Sequence, residues 1–179
     1  MTQRVLCLLT DGFEEIETVA PIDLLRRAGV EVTLAALESP EVTGRSGIRL
    51  VADAILSDVL PDHHDLLFLP GGPGVVALRA DGRPAALAKM FHQAGKRIAA
   101  ICAAPLVLKD AGILGDRRHT AHASTHVELP HALQDERVVV DGNLITSRGA
   151  GTSIDFGLAL VAELRGRHCA NEIAAAIMA

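Results

Sequence analysis

A cysteine closes the apolar run RIAAIC (residues 97–102) and is followed at once by Ala103-Ala104-Pro105. A thiol in that place can fill core space, as free cysteines commonly do, or stand as a nucleophile on a sharp strand-to-helix turn. Position alone leaves both open. Two other apolar runs stop in the same way. RVLCLLT (4–10) ends at Asp11-Gly12 and leads into an acidic run reaching Glu17, and DLLFLPGG (65–72) ends at Gly71-Gly72. If the three runs are adjacent parallel strands, their ends share one edge of a sheet. A carboxyl, backbone N–H groups and a thiol then meet. A helix beginning at Cys102 would turn free N–H groups and its dipole toward the sulfur, so the thiol pKa is expected below the free value of about 8.5. Cys7 and Cys169 read as core residues.

What must position these ends is a repeated order of strand, glycine turn and helix. After the first strand, residues 14–29 carry apolar side chains at Ile16, Val19, Ala20, Ile22, Leu24 and Leu25 and close at Gly29, which predicts a helix. Pro21 inside it is expected to remove one hydrogen bond and kink it. VEVTLAAL (30–37) predicts a second strand, and RLVADAIL (49–56) an edge strand or hairpin arm. Residues 83–95 form a helix with Pro84 near the start and Gly95 past the end. APLVLKDAG continues the thiol strand as a helix. RVVVDGNLITSR (137–148) reads as a hairpin turned at Asp141-Gly142 or Gly142-Asn143, and two helices close the chain. This pattern predicts an α/β domain with a mostly parallel sheet, whose ligands bind beyond the carboxyl ends of the strands. All 179 residues read as one domain.

Composition agrees. With no Trp or Tyr and four Phe, the core must be aliphatic, which suits strands buried on both faces. A net charge of −5 without a basic stripe argues against nucleic acid as partner. Three irregularly spaced cysteines without a CxxC indicate neither a disulfide framework nor a zinc or dithiol site. The N-terminus turns acidic too early for a signal peptide, and no apolar run reaches the roughly 18 residues of a membrane helix. A reducing cytoplasm is expected.

Other motifs carry less. Gly72-Pro-Gly74-Val-Val-Ala77 fits GxGxxA nominally, but it does not follow the first strand and no acid closes a later strand at the required distance. His119, His122, His126 and His131 lie in a segment without a helical apolar face. Their spacings need not converge, so no metal is expected and surface positions are. His126-Val-Glu128 echoes the His-x-Glu of class I glutamine amidotransferases but comes too early in the chain. SRGAGTS (147–153) lacks the lysine of a P-loop, and Thr152 or Ser153 is expected to cap the following helix.

Five blocks occur together in order: DGFEEIETVAPIDLLRRAG, LPGG, AAICAAP, TAH and ITSRGAGTS. In these the chain resembles the ThiJ/PfpI superfamily, in the branch of the parkinsonism-associated protein deglycase, over nearly its whole length. The resemblance implies a flavodoxin-like three-layer sandwich related to class I glutamine amidotransferases, a homodimer, no cofactor, and an oxidisable cysteine on a nucleophile elbow. It assigns Cys102 as nucleophile, Glu17 as the carboxyl bonded to the thiol, and His122 as the nearby histidine. Gly72 and Ala103 become the oxyanion donors, with Gly71 beside them in the binding strand end. It implies small dicarbonyls or glycated proteins as substrates, or else a stress sensor whose Cys102 becomes a sulfinate. An ionised Glu17 would raise the thiol pKa, so Glu17 is expected to be partly buried and protonated, and to serve as general acid and base. Glu14 and Glu15 are expected to be solvated. Ala103, where the protease-like branch has His, disfavours a peptidase triad. Arg45-Ser46 stands where the branch usually has Ser-Arg, so no arginine is assigned as an anion contact. The apolar side of helix 15–28 is the expected dimer face.

Overall fold

The computed structural model describes residues 2–179. Its main sheet has seven strands: β1 (Arg4–Leu9), β2 (Glu31–Ala36), β5 (Ala54–Ile55), β6 (Leu66–Leu69), β7 (Arg97–Ile101), β8 (Val138–Asp141) and β9 (Leu144–Ser147). Their spatial order is β5-β2-β1-β6-β7-β9-β8. All neighbours are parallel except the β8–β9 pair. The helices are α1 (Glu15–Arg27), α2 (Val75–Asp81), α3 (Arg83–Gln93), α4 (Pro105–Asp110), α5 (Ser153–Arg165) and α6 (Arg167–Ala176). A separate two-stranded ribbon pairs β3 (Glu41–Thr43) with β4 (Arg49–Val51).

Two apolar layers cover the two faces of the sheet. Along β1, Leu6 and Leu8 point into the layer of Phe91, Val107 and Leu108, whereas Val5, Cys7 and Leu9 point into that of Leu24, Leu25 and Phe156. This alternation follows from the period of two in a strand. With both faces covered by helices, β1, β6 and β7 read as unbroken apolar runs. The result is the expected flavodoxin-like sandwich. The chain reverses direction across the sheet between β1 and β6, so the crevice beyond their carboxyl ends is the topological switch point.

Several local expectations are refined. The segment 49–56 is both things expected of it, its first half being the ribbon arm β4 and its second half the edge strand β5. The hairpin turns on Gly142-Asn143, with Gly142 at φ 59°. Helix α1 runs through Pro21 without interruption. Gly157 of α5 lies against this turn, and a Cβ there would stand 2.6 Å from Leu24 Cδ1 and 3.0 Å from Pro21 Cα. Helix α2 has no counterpart among the sequence expectations; it starts directly after Gly74. Thr152 does not cap α5: its Oγ1 donates to Gly149 O at 2.8 Å and meets Ser147 Oγ at 2.6 Å, tightening the preceding turn.

Candidate active site

The carboxyl ends of β1, β6 and β7 meet as the sequence requires, and Cys102 stands one residue past β7. Its φ is +65°, a left-handed conformation that a residue with a Cβ adopts only under constraint. The constraint is visible on both sides of the residue. Cys102 N–H donates to Ser147 O of β9 at 2.9 Å, and Cys102 C=O accepts from His122 N–H at 2.8 Å. Strained backbone of this kind persists where its surroundings over-determine it.

Glu17 lies in the first turn of α1, only 1 % exposed, with its carboxyl facing the thiol. Gly71 is what permits this approach. A Cβ on Gly71 would collide with Glu17 Oε2 and lie 2.5 Å from Cys102 Cβ. Gly72 is equally restricted: its φ is +98°, and a Cβ would stand 2.5 Å from Gly12 O and 2.6 Å from Glu14 N. The two glycines do different work. Gly71 N–H faces the Glu17 carboxyl, and Gly72 and Ala103 N–H face the sulfur. Gly71 therefore does not belong with the thiol's donors.

Burial pushes the Glu17 carboxyl up to about 7, and the charge of Glu14 adds to this. The thiol, the Gly71 N–H and Arg45 pull the other way without cancelling it. The carboxyl is thus protonated below neutral pH and about half protonated at it. The expected low thiol pKa is absent. Burial pushes Cys102 up to about 12, reinforced by the charge and hydrogen bond of Glu17, against the lowering effect of the Gly72 and Ala103 N–H groups. The reason is positional. Helix α4 starts at Pro105, so two turn residues separate the sulfur from the helix end. Glu17 and Cys102 are best treated as one coupled pair sharing protons.

His122 reaches the same cavity with an exposed ring. Its Nδ1 accepts from Ser124 N–H at 3.2 Å and meets Ser124 Oγ at 2.9 Å, which leaves Nε2 to carry the ring proton. The cavity holds about 400 Å³ and is also lined by Arg45, Val76, Arg79, Leu106 and Ala150. Arg45 thus supplies a cation despite its shifted place in the sequence. Arg79 is consumed by a double fork, Nε and Nη2 on Asp110 at 2.7 and 2.9 Å and Nη1 and Nη2 on Glu128 at 2.9 Å each. Three segments that wall the cavity are tied together by it. No sequence signal marks this arginine, because its partners lie 31 and 49 residues away.

The remaining assignments divide. Glu14 and Glu15 are buried rather than solvated: Glu14 caps α1 by accepting from Glu17 N–H at 2.7 Å, and Glu15 accepts from Ser46 N–H at 2.7 Å. Glu15 thereby fixes the loop that carries Arg45. His119 is also buried, with Nδ1 at 2.9 Å from Arg117 O, whereas His126 and His131 are exposed. Cys7 is fully buried in β1, and burial raises its pKa far beyond the working range. Cys169 packs half-buried on α6.

A left-handed cysteine beyond a parallel strand, facing a buried carboxyl and two N–H groups at the sheet's switch point, is nucleophile-elbow geometry. The DJ-1/PfpI family model matches residues 3–163, and the chain belongs to that family. It is 37% identical to protein dj-1beta of Drosophila melanogaster, covering 99% of this chain and 98% of the relative. It is 34% identical to a deglycase of Thermococcus kodakarensis, covering 83% and 91%. DJ-1 homolog B of Arabidopsis thaliana is 41% identical over 93% of this chain, which spans only 39% of that longer relative. Among solved structures, Drosophila DJ-1beta superposes with a TM-score of 0.95 at 36% identity, covering 99% and 98%. An oxidized DJ-1 of Toxoplasma gondii superposes at 0.93 with 32% identity, covering 99% and 98%.

Proposed function

We propose that the chain is a protective cysteine enzyme that consumes reactive dicarbonyls, free or as protein adducts, without a cofactor. The observation that carries this reading is the buried Glu17, held near neutrality in its titration, facing a thiol on a strained turn. Cys102 Sγ adds to the aldehyde carbon of a substrate such as methylglyoxal while Glu17 moves the thiol proton, giving a hemithioacetal. Gly72 and Ala103 N–H groups steady the developing oxyanion. Glu17, with His122 at the cavity mouth, then carries a proton from the hydroxyl carbon to the neighbouring carbonyl carbon, leaving a thioester. Water cleaves the thioester, releasing lactate and restoring the thiol. No redox partner is needed, because one carbon is oxidised as its neighbour is reduced. Relatives named deglycases support the class of activity. Its test is D- and L-lactate production from methylglyoxal without glutathione, beside Cys102→Ala. Turnover lost in the variant is expected, and turnover that survives it rejects the mechanism.

A second reading is favoured by the same N–H groups. Gly72 and Ala103 donors beside a protonated Glu17 suit a sulfinate on Cys102, and an oxidized DJ-1 is among the similar solved structures. Mild peroxide should then add two oxygens to Cys102 alone. For assembly, Ile16, Val19, Ile48 and Ile154 are exposed around one apolar groove of about 780 Å³ on α1, which supports a homodimer through that face. Among the described residues no helix is long and apolar enough to cross a membrane. The free cysteines support a reducing cytoplasm as the working location.

A further inference from the structure

A second cavity, of about 470 Å³, adjoins the thiol cavity, and His122 and Ala150 line both. Gly149, which lines the second cavity, stands beside residues of the first. A Cβ placed on Gly149 would stand 3.5 Å from His122 Cδ2 and 3.9 Å from Glu17 Oε1. The outer cavity has a mixed lining, in which Gln134, Arg137 and Arg148 and the backbone of 149–151 supply polar groups beside Ala121 and Ala123. No carboxylate lines it. Arg137 is neutralised from outside by Asp155, its Nε donating to Oδ2 at 2.8 Å. Arg148 is different. It is half-buried, its Nη1 donates to Gln134 O at 2.9 Å, and among the described residues no acid pairs with it and no other acceptor meets its fork. A partly buried guanidinium with free donors and no counter-charge is a place for an oxyanion.

We infer that Arg148 and the cavity it lines form an anion subsite, which holds a carboxylate or phosphate carried by the substrate several bonds from its reacting carbonyl. The inference rests on the dicarbonyl reading above. The reacting carbon sits at Cys102, the chain of the substrate passes His122 and Gly149, and the charged end meets the Arg148 fork. Substrates of this kind are oxo-aldehydes with an acid or phosphate terminus, and adducts presenting a free carboxylate.

The kinetic test compares 4,5-dioxopentanoate with its methyl ester, two 2-oxoaldehydes that differ in the terminal charge. The acid should be preferred in kcat/KM, and Arg148→Gln should lower the acid-to-ester ratio by roughly ten- to a hundredfold, the range of a charge-assisted hydrogen bond. Arg148→Lys, which keeps the charge and loses the fork, should recover part of that ratio. An unchanged ratio, or equal loss on acid and ester, overturns the subsite and leaves Arg148 a structural residue. The binding test uses Cys102→Ala protein, which needs no turnover. Calorimetric titration with inorganic phosphate and with acetate should give saturable binding of at least one, abolished by adding Arg148→Gln, and the tighter of the two names the source. If the wild type turns over neither dioxo compound nor methylglyoxal, the proposed function fails, and the titration alone decides the subsite. No saturable binding of either ion overturns it.

Discussion

Replacing Glu17 by Gln isolates the electrostatic coupling at the centre of the site. Gln keeps the shape and an N–H donor but never ionises. In the wild-type protein the pair loses its first proton near pH 7 and its second only near 12, because the remaining proton must leave sulfur beside a carboxylate. Two unit charges about 4 Å apart at an effective dielectric of about 20 repel by about 4 kcal/mol. That repulsion is equivalent to about 3 pKa units. In Glu17→Gln the Cys102 thiol should therefore titrate below the wild-type second step by up to about 3 units, with burial still holding it above an ordinary thiol. The assay is the ultraviolet absorbance of the thiolate against pH, with Cys102→Ala subtracted. At pH 10 a larger share of the variant's sulfur than of the wild type's should be ionised. Turnover should nevertheless fall by roughly 10²- to 10⁴-fold, since the variant has lost its acid and base. A more ionised thiol in a slower enzyme is the signature. A thiol pKa that stays near 12 in the variant would mean that burial alone sets it, and turnover that stays intact would remove Glu17 from the mechanism.

The same carboxyl makes stability fall with pH. Its folded pKa lies above its ordinary 4.5, so the native state binds more protons between 4.5 and about 7, and stability is lost as pH rises through that window. The shift corresponds to about 3 kcal/mol, so urea unfolding should show Glu17→Gln gaining on the wild type by up to that amount between pH 4.5 and 8. Gly71→Ala should drive Glu17 and Cys102 apart, costing about 1 to 3 kcal/mol and most of the thiol's selective reactivity, read by denaturation and by alkylation rate. Arg79→Met should free the loop carrying Glu128 and Ser124 from α2 and α4. Hydrogen exchange should quicken over residues 120–129, and an unchanged rate there would show that the double fork is not what holds the loop. Ile48→Glu should place charge on the exposed apolar groove and convert the proposed dimer to monomer in sedimentation velocity, whereas the surface variant Lys89→Glu should not.

The legible part of the site was the part written in local sequence. Apolar runs broken by Asp11-Gly12, Gly71-Gly72 and Cys102-Ala103 gave three strand ends, and parallel pairing of β1, β6 and β7 then forced carboxyl, N–H groups and thiol to one edge. Buried strands advertise themselves because both faces must be apolar. What escaped was set by contacts distant in sequence. Glu14 and Glu15 look like a solvated acidic run, yet each accepts backbone N–H groups, Glu15 from a loop 31 residues away. Arg45 was placed by that loop rather than by its motif position. Arg79 and Arg148 are defined by their partners, or the lack of them, and neither has a periodicity to read.

The Cys102 pKa is the most instructive divergence. A helix start after the cysteine was reason to expect a stabilised thiolate, and the free N–H groups of Gly72 and Ala103 do act in that direction. Two structural facts outweigh them. The turn consumes two residues before α4 begins, and the elbow that aims the sulfur also half-buries it against Glu17. In the proposed mechanism a thiol with so high a pKa serves as nucleophile only if its proton leaves as the carbon–sulfur bond forms, which makes a neighbouring acceptor a requirement rather than an accessory. Glu17, titrating near 7, is that acceptor once ionised and a donor once protonated. The fold therefore does not store a thiolate. It stores a proton-sharing pair, and the two glycines at the end of β6 are the reason the pair can close to contact.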